Sequence, residues 1–448
     1  MWNIRIRRGA CTRNWVSTAN TRKCGGTMNR LTINLEALAH NLSVINGWMR
    51  RYGACWTVVG KVLCGHRETL RALRHMGVQS VGDSRLSNFR VLRKTAPDAE
   101  GWYLRVPGPS SIENVTALTQ VSLNSEIETI SALNEAARKR GIIHQIIIMI
   151  ELGDLREGIL PGSLIQFYKA VFQLPNIGVL GIGANLGCLS GVPPSVDQLM
   201  QLLLYRELLE LKFQKRLPLI SAGSSVVLPL LLADQVPKGV NHFRIGEALF
   251  LGTDLVNGGT LPELRDDVIL LEAEIAELKQ KGLSALGEPG NAAPFHHDIE
   301  IEENISPGQR GYRALLSIGC LDTEITGLKP LDPDCRIAGA SSDITVVNLG
   351  DNPRNLQVGD TVSFRLDYAA LLRLMGSRYI EKTVTPPLET FLNAPMSSAL
   401  RVPPVLETLG GGSAAVVDNG KDILPVKLGR DGHAATAEAV AAAKERAG

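Results

Sequence analysis

Between residues 55 and 245 the chain repeats one unit eight times. A short, β-branched apolar run is followed by an amphipathic helical stretch. The runs are Cys55–Gly60, Val78–Val81, Trp102–Val106, Val121–Leu123, Ile146–Ile150, Val179–Ile182, Pro218–Ile220 and His242–Ile245. Helical patterns such as Glu68–Met76, Ser125–Arg140 and Val196–Leu211 lie between them. Strand–helix alternation means parallel strands joined by helical crossovers. Eight units predict a (β/α)8 TIM-like barrel, near the short end of its range of about 200–400 residues. A doubly wound sheet is the competing architecture, but no GxGxxG turn follows the first strand.

Beyond Gly252 the pattern changes. Residues 267–281 have helical propensity, yet Leu271, Ala273 and Ile275 also alternate as a strand would. The runs Ala314–Ile318, Arg336–Gly339, Ile344–Leu349 and Thr361–Leu366 are separated by turn residues, notably Gly359-Asp360. They predict a small all-β domain. The expected division is a leader over 1–27, a barrel over 28–260, a β domain over 261–385 and a largely disordered tail over 386–448. The tail is assigned on its Pro, Gly and Ala content, with a weak helix near 435–446.

Charge sharpens this division. The 448 residues carry 47 Lys and Arg against 45 Asp and Glu, a net +2. Arg5, Arg7, Arg8, Arg13, Arg22 and Lys23 lie in the first 27 residues, which hold no acid. The other 41 basic and 45 acidic residues leave the rest at −4. Such a leader suits an unstructured extension better than a transit peptide, because it lacks a clean amphipathic pattern. The near-neutral balance argues against a nucleic-acid binder. No run reaches the roughly 18 apolar residues of a spanning helix, so no membrane role is expected. Seven Cys residues form no CxxC pair. An odd count without paired spacing disfavours a disulfide framework or a structural zinc site and fits a cytoplasmic location. His296-His297-Asp298 lacks a third spaced ligand and reads as solvated loop.

In a barrel, chemistry gathers where the strands end. Lys61 follows the first run. Gly82-Asp83-Ser84-Arg85 ends the second, Asn124-Ser125 the fourth, and Glu151, with Arg156 just beyond, the fifth. Gly183-Ala184-Asn185 ends the sixth, Ser221-Ala222-Gly223-Ser224-Ser225 the seventh and Arg244-Ile245-Gly246 the eighth. This ring of cations, amides, hydroxyls and glycines suits an anionic ligand. Polar residues flank most strands, so any one of these ends alone would mean little.

These residues, in this order, resemble the alanine racemase fold family of pyridoxal 5′-phosphate (PLP) enzymes. The chain looks most like its predicted amino acid racemase group, which includes ornithine racemase. The resemblance runs over about residues 30 to 382. It opens at Thr32-Ile33-Asn34-Leu35-Glu36 and continues through Val58-Val59-Gly60-Lys61-Val62-Leu63-Cys64-Gly65. It takes in Gly82-Asp83-Ser84-Arg85, Asp154-Leu155-Arg156-Glu157-Gly158 and Gly183-Ala184-Asn185-Leu186. Ser224-Ser225, Arg244-Ile245-Gly246, Gly339-Ala340-Ser341-Ser342-Asp343, Asp367-Tyr368-Ala369-Ala370-Leu371-Leu372 and Ser377-Arg378-Tyr379 follow. Ile318-Gly319-Cys320-Leu321-Asp322 falls where alanine racemases carry a V-G-Y-x-D segment with a catalytic Tyr.

The resemblance implies a role for each residue. Lys61 holds the cofactor and acts as one catalytic base. Burial beside cations is expected to keep its amine nucleophilic. Arg244 partners the pyridine nitrogen without giving up its proton. Ser224, Ser225, Gly246 and Tyr379 hold the phosphate. Arg156 and Asn185 lie beside the cofactor ring. Arg156 and Asp343 contact the substrate. From their position alone, and not from the resemblance, Asp83, Asn124 and Glu151 are candidates for a side-chain amine. Cys320 is the candidate second base, since a thiol's ordinary pKa of about 8.5 can be tuned toward neutrality. Asp322 and Tyr368 stand behind it. The blander readings are a buried small hydrophobe for Cys320, a surface pair with Glu247 for Arg244, and a pair with Asp154 or Glu157 for Arg156.

The implied activity is racemisation of a free amino acid, with ornithine, lysine, alanine or serine as candidates. In this family the β domain of one subunit completes the barrel of the other, so a head-to-tail homodimer is expected. Decarboxylation on the same fold, which also uses a Cys from the β domain, is the first alternative. A non-enzymatic PLP carrier is the second, and binding of some other phosphorylated metabolite the third.

Overall fold

The structure is a computed structural model that describes residues 29–283, 306, 308–410 and the short strand pair 416–417 and 422–423. The leader and His296-His297-Asp298 lie outside the described residues, as does most of the tail. The strands in chain order are β1 (Asn29–Asn34), β2 (Cys55–Val59), β3 (Ser80–Asp83), β4 (Glu100–Tyr103), β5 (Val121–Asn124) and β6 (His144–Met149). Then come β7 (Ile177–Ala184), β8 (Leu219–Ala222), β9 (His242–Ile245), β10 (Ile269–Gly282) and β11 (Arg310–Leu316). The last are β12 (Leu328–Pro330), β13 (Arg336–Ala340), β14 (Thr345–Asn348), β15 (Thr361–Leu366) and β16 (Glu381–Thr385).

Strands β2 to β9 close into a barrel, each paired parallel with the next and β2 with β9. The eight runs seen in the sequence are these eight strands. They read as continuous apolar runs because both faces are covered. In β6, Ile146 and Ile148 face the helical layer, whereas Ile147 and Met149 join Trp102, Leu123, Leu180 and Leu219 inside the barrel.

The second domain is an antiparallel sheet in the order β12-β15-β10-β11-β14-β13. Residues 269–282 form a strand, with Ile269, Leu271, Ala273 and Ile275 all fully buried at alternate positions. The period-2 pattern overrides helix propensity because it lets one face pack. Strand β1 belongs to this sheet and not to the barrel, as the expected boundary at residue 28 had it. It pairs antiparallel with β10 and parallel with β16. From Asn29 the chain thus runs through the sheet domain and enters the barrel through the helix Leu35–Tyr52, which Asn34 caps.

The expected tail boundary at 386 is also corrected. Residues 386–410 carry the helices Leu388–Leu392 and Val405–Gly410 and the turn Ser398–Leu400. Val402 bridges to Val78 at the start of the barrel, and Val405 is fully buried among the interior residues. This segment closes the N-terminal end of the barrel. Among the described residues, no helix is long and apolar enough to cross a membrane.

Candidate active site

The C-terminal ends of β2, β3, β5, β7, β8 and β9 open on one mouth. Lys61 begins a single turn after β2 and is exposed, so the burial expected of it does not hold. Its amine lies 5.7 Å from the centroid of the Tyr368 ring, on the helix Tyr368–Gly376 that follows β15. Asp83 and Glu247 also face its charge. Burial pushes the Asp83 carboxyl up, against the hydrogen bonds it accepts from Arg85 N–H and Asn88. Burial pushes Glu247 up to about 7, Lys61 opposing and Asp367 reinforcing the shift.

Arg244 is buried at 4% exposure, not paired with Glu247 at the surface. Its Nη1 donates to Ser221 O at 3.0 Å and Ser221 Oγ at 2.5 Å. Its Nη2 donates to Ala184 O at 3.0 Å and Asn185 Oδ1 at 2.8 Å. Desolvation lowers its pKa to about 10. Asn185 in turn donates to Glu157, which pairs with Arg156. The Arg156–Glu157 pair is the blander reading of Arg156, realised in this structure. Glu157 holds the Arg156 guanidinium well above its ordinary value. Arg156, Asn185 and Arg244 are therefore linked, through Glu157, in one connected set.

The two serines differ. Ser225 is buried, and its Oγ accepts from Ala248 N–H at 3.1 Å, fixing the turn after β9. Ser224 makes no side-chain hydrogen bond among the described residues. Gly223 has φ +87°, and a Cβ there would meet Val227 at 2.2 Å. A Cβ on Gly246 would lie 2.8 Å from Val59 O. Gly223 leaves room for the Val227 side chain in a left-handed turn, and Gly246 lets the β2 backbone approach closely.

Other candidates are placed differently. Glu151 accepts from the N–H groups of Gly153, Leu155 and Arg156, so it organises its loop instead of facing the mouth. Asn124 is buried, with Nδ2 donating to Ser122 and Oδ1 left without a partner among the described residues. Tyr379 is 67% exposed, its hydroxyl accepting from Arg378 at 2.6 Å.

Cys320 and Asp343 lie together on adjacent turns of the sheet domain. Cys320 N–H donates to Ser341 O and Leu321 N–H to Ser342 O. Asp343 is exposed and accepts from Ser342. Burial and Glu324 push the Cys320 thiol up, Arg373 opposing. This differs from the expected tuning toward neutrality. The groups that act on Cys320 belong to the sheet domain, not to the barrel mouth.

Sequence reasoning gave His242 no role in the site and placed Ser221 only in the polar end of its strand. Both are fully buried, and Ser221 Oγ lies 2.8 Å from His242 Nδ1. A signal for His242 existed: it precedes Arg244 by two residues in a strand, so both point to the same side. No group of three His, Cys, Asp or Glu among the described residues could hold a metal ion.

Residues 33–254 match the family model described as alanine racemase, N-terminal domain. The chain is 34% identical over 358 residues to the ornithine racemase of Acetoanaerobium sticklandii, covering 79% of this chain and 98% of that protein. It is 31% identical over 361 residues to the lysine racemase of Thermotoga maritima, covering 80% and 98%. In fold it is similar to alanine racemase from Corynebacterium glutamicum, with a TM-score of 0.59 and 18% identity over 80% of this chain and 100% of that one. The Streptomyces coelicolor alanine racemase gives a TM-score of 0.62 at 17% identity, over 80% and 98%. A barrel of eight parallel strands, an antiparallel sheet domain and these relatives agree: the chain belongs to the alanine racemase family.

Proposed function

We propose that the chain is a PLP-dependent racemase of free amino acids, with ornithine or lysine as substrate. The carrying observation is the buried Arg244, joined to Asn185, on the barrel mouth that also presents Lys61. The donor set fits the cofactor. An exposed amine, an unengaged Ser224 hydroxyl and a buried guanidinium lie at the strand ends of one mouth. Lys61 would hold PLP covalently, Ser224 and the backbone beside Gly246 its phosphate, and Arg244 its ring nitrogen.

When bound, PLP supplies the electron sink for the pair left at Cα. The chain's own residues do the rest. Lys61 moves the proton at one face of Cα. Arg244 donates a hydrogen bond and keeps its proton, because guanidinium does not release one near neutrality. Arg156 pairs with the substrate carboxylate, exchanging its bond to Glu157 for it. Asp83 and Glu247 suit a substrate with a side-chain ammonium, since each is a partly desolvated carboxyl beside Lys61. Cys320 from a second copy of the chain holds the proton at the opposite face, which makes the working unit a head-to-tail homodimer. Asp343, on the turn beside it, would contact the substrate from the same side.

Incubation with single L-amino acids, followed by separation of enantiomers, tests this reading. The expected result is a racemic mixture from ornithine or lysine. Release of an amine with loss of the carboxylate would instead mark a decarboxylase. Cys320→Ser retaining the wild-type rate in both directions would remove Cys320 from the mechanism.

A further inference from the structure

A file of buried polar side chains crosses the barrel interior from its closed end to Arg244. Glu100 opens β4 at that closed end. Its Oε1 accepts from Ser80 Oγ at 3.4 Å, and Ser80 Oγ lies 2.9 Å from Thr57 Oγ1. Thr57 Oγ1 lies 2.9 Å from His242 Nε2, and His242 Nδ1 lies 2.8 Å from Ser221 Oγ. Ser221 accepts from Arg244.

One direction satisfies every bond. Arg244 has only protons to give. Ser221 therefore accepts from it and donates to His242 Nδ1. The imidazole then carries its proton on Nε2 and donates to Thr57. Thr57 donates to Ser80, and Ser80 to the carboxylate. Burial raises the Glu100 pKa, but the four donors that face it, Trp102, Leu406, Val405 and Ser80, favour its carboxylate, so a cation stands at one end and an anion at the other and each bond polarises the next in the same sense. His242 is fully buried and stacks on Trp102 at 4.6 Å between ring centroids. Burial and Arg244 hold its pKa well below the ordinary value, which keeps it neutral.

The far end is anchored by the C-terminal segment. Glu100 also accepts from Trp102 Nε1 at 2.6 Å, Val405 N–H at 3.0 Å and Leu406 N–H at 2.9 Å. Those two backbone donors come from more than 300 residues downstream.

We propose that His242 is a positioning residue for Arg244, held by a hydrogen-bond chain whose far anchor is Glu100 with the C-terminal residues Val405 and Leu406. Arg244 must meet a ring nitrogen at hydrogen-bond distance. Fixing two of its donors on Ser221 leaves the guanidinium little freedom to turn. The inference rests on the role proposed for Arg244 above.

The test uses the full chain in two states. In the cofactor-free protein, ¹⁵N spectra of His242 should show a neutral ring protonated on Nε2. Thr57→Val removes the central hydroxyl at constant volume and should move that signal, and Thr57→Ser should restore it. Glu100→Gln should move it in the same direction. In the holoenzyme, Thr57→Val should lower kcat about tenfold with KM within about twofold, and Thr57→Ser should recover it. A doubly protonated or Nδ1-protonated His242 in the wild-type protein overturns the proposal. So does a moved signal with unchanged kcat, which would leave the chain a structural role alone. If Thr57→Val does not fold, the wild-type spectrum and Glu100→Gln decide. Failure of the racemase reading would appear separately, as Lys61→Ala retaining the bound cofactor's absorbance while the His242 spectrum still reports the chain.

Discussion

The amine of Lys61 lies 5.7 Å from the centre of the Tyr368 ring, so a barrel residue and a sheet-domain helix meet where the chemistry is placed. The ring face favours the ammonium, an effect of about 0.5–2 kcal/mol depending on desolvation. Burial, with Glu247 and Asp83, pushes the Tyr368 hydroxyl well above its ordinary value, so the phenol stays protonated near neutrality. Tyr368→Phe keeps the ring and should leave kcat/KM within about threefold. Tyr368→Leu removes it and should cost about tenfold. Steady-state kinetics on both variants check this.

Lys61→Ala should abolish both racemisation and the visible absorbance of the purified protein. An unchanged spectrum would sink the assignment of Lys61.

Arg156→Ala should raise KM about tenfold or more, through loss of a charge-assisted pair with the substrate carboxylate. Stability should change little. The pair with Glu157 leaves the Arg156 side chain 37% exposed, and partly exposed pairs contribute about 1 kcal/mol or less. A large fall in Tm with unchanged KM would contradict the proposed role.

Glu247 gives the fold a pH dependence. Its carboxyl rises from 4.5 to about 7 on folding, so the folded state binds the proton more tightly than the unfolded state. That contribution is complete below pH 4.5 and is lost as pH rises through about 7. Glu247→Gln should flatten the stability profile across this window. It should stabilise the cofactor-free protein above pH 7 by about 3 kcal/mol at most. Denaturant titrations at pH 4.5 and pH 8 measure it; an equal effect at both would refute the cause.

Val405→Ala should destabilise the protein by about 2 kcal/mol. It removes two methyl groups from a fully buried side chain at the closed end of the barrel. A neutral result would mean that residues 402–410 do not seal the barrel in solution.

Most of the barrel strands could be read in the chain because burial on both faces leaves a short, largely apolar run, although Ser80, Glu100 and His242 interrupt β3, β4 and β9. Lys61, Asn185, Ser224 and Arg244 were legible for a related reason: a strand end fixes where a side chain emerges. Local pattern reports burial but not partners. The alternation in 269–282 signalled a strand as well as a helix, and only pairing with β11 and β15 selected the strand. Strand β1 looked like the entry to the barrel, yet its partners lie in β10 and β16. Pro-rich residues 386–410 lacked periodicity, because their apolar contacts are single anchors spaced for a barrel end. Glu100, Thr57, Ser80 and His242 were silent for the same reason. A buried polar residue is stable only with a partner, and here, apart from Trp102 beside Glu100, those partners lie 20 to 306 residues away along the chain. Such pairings exist once the barrel has closed, which is why folding, and not pattern, placed them behind Arg244.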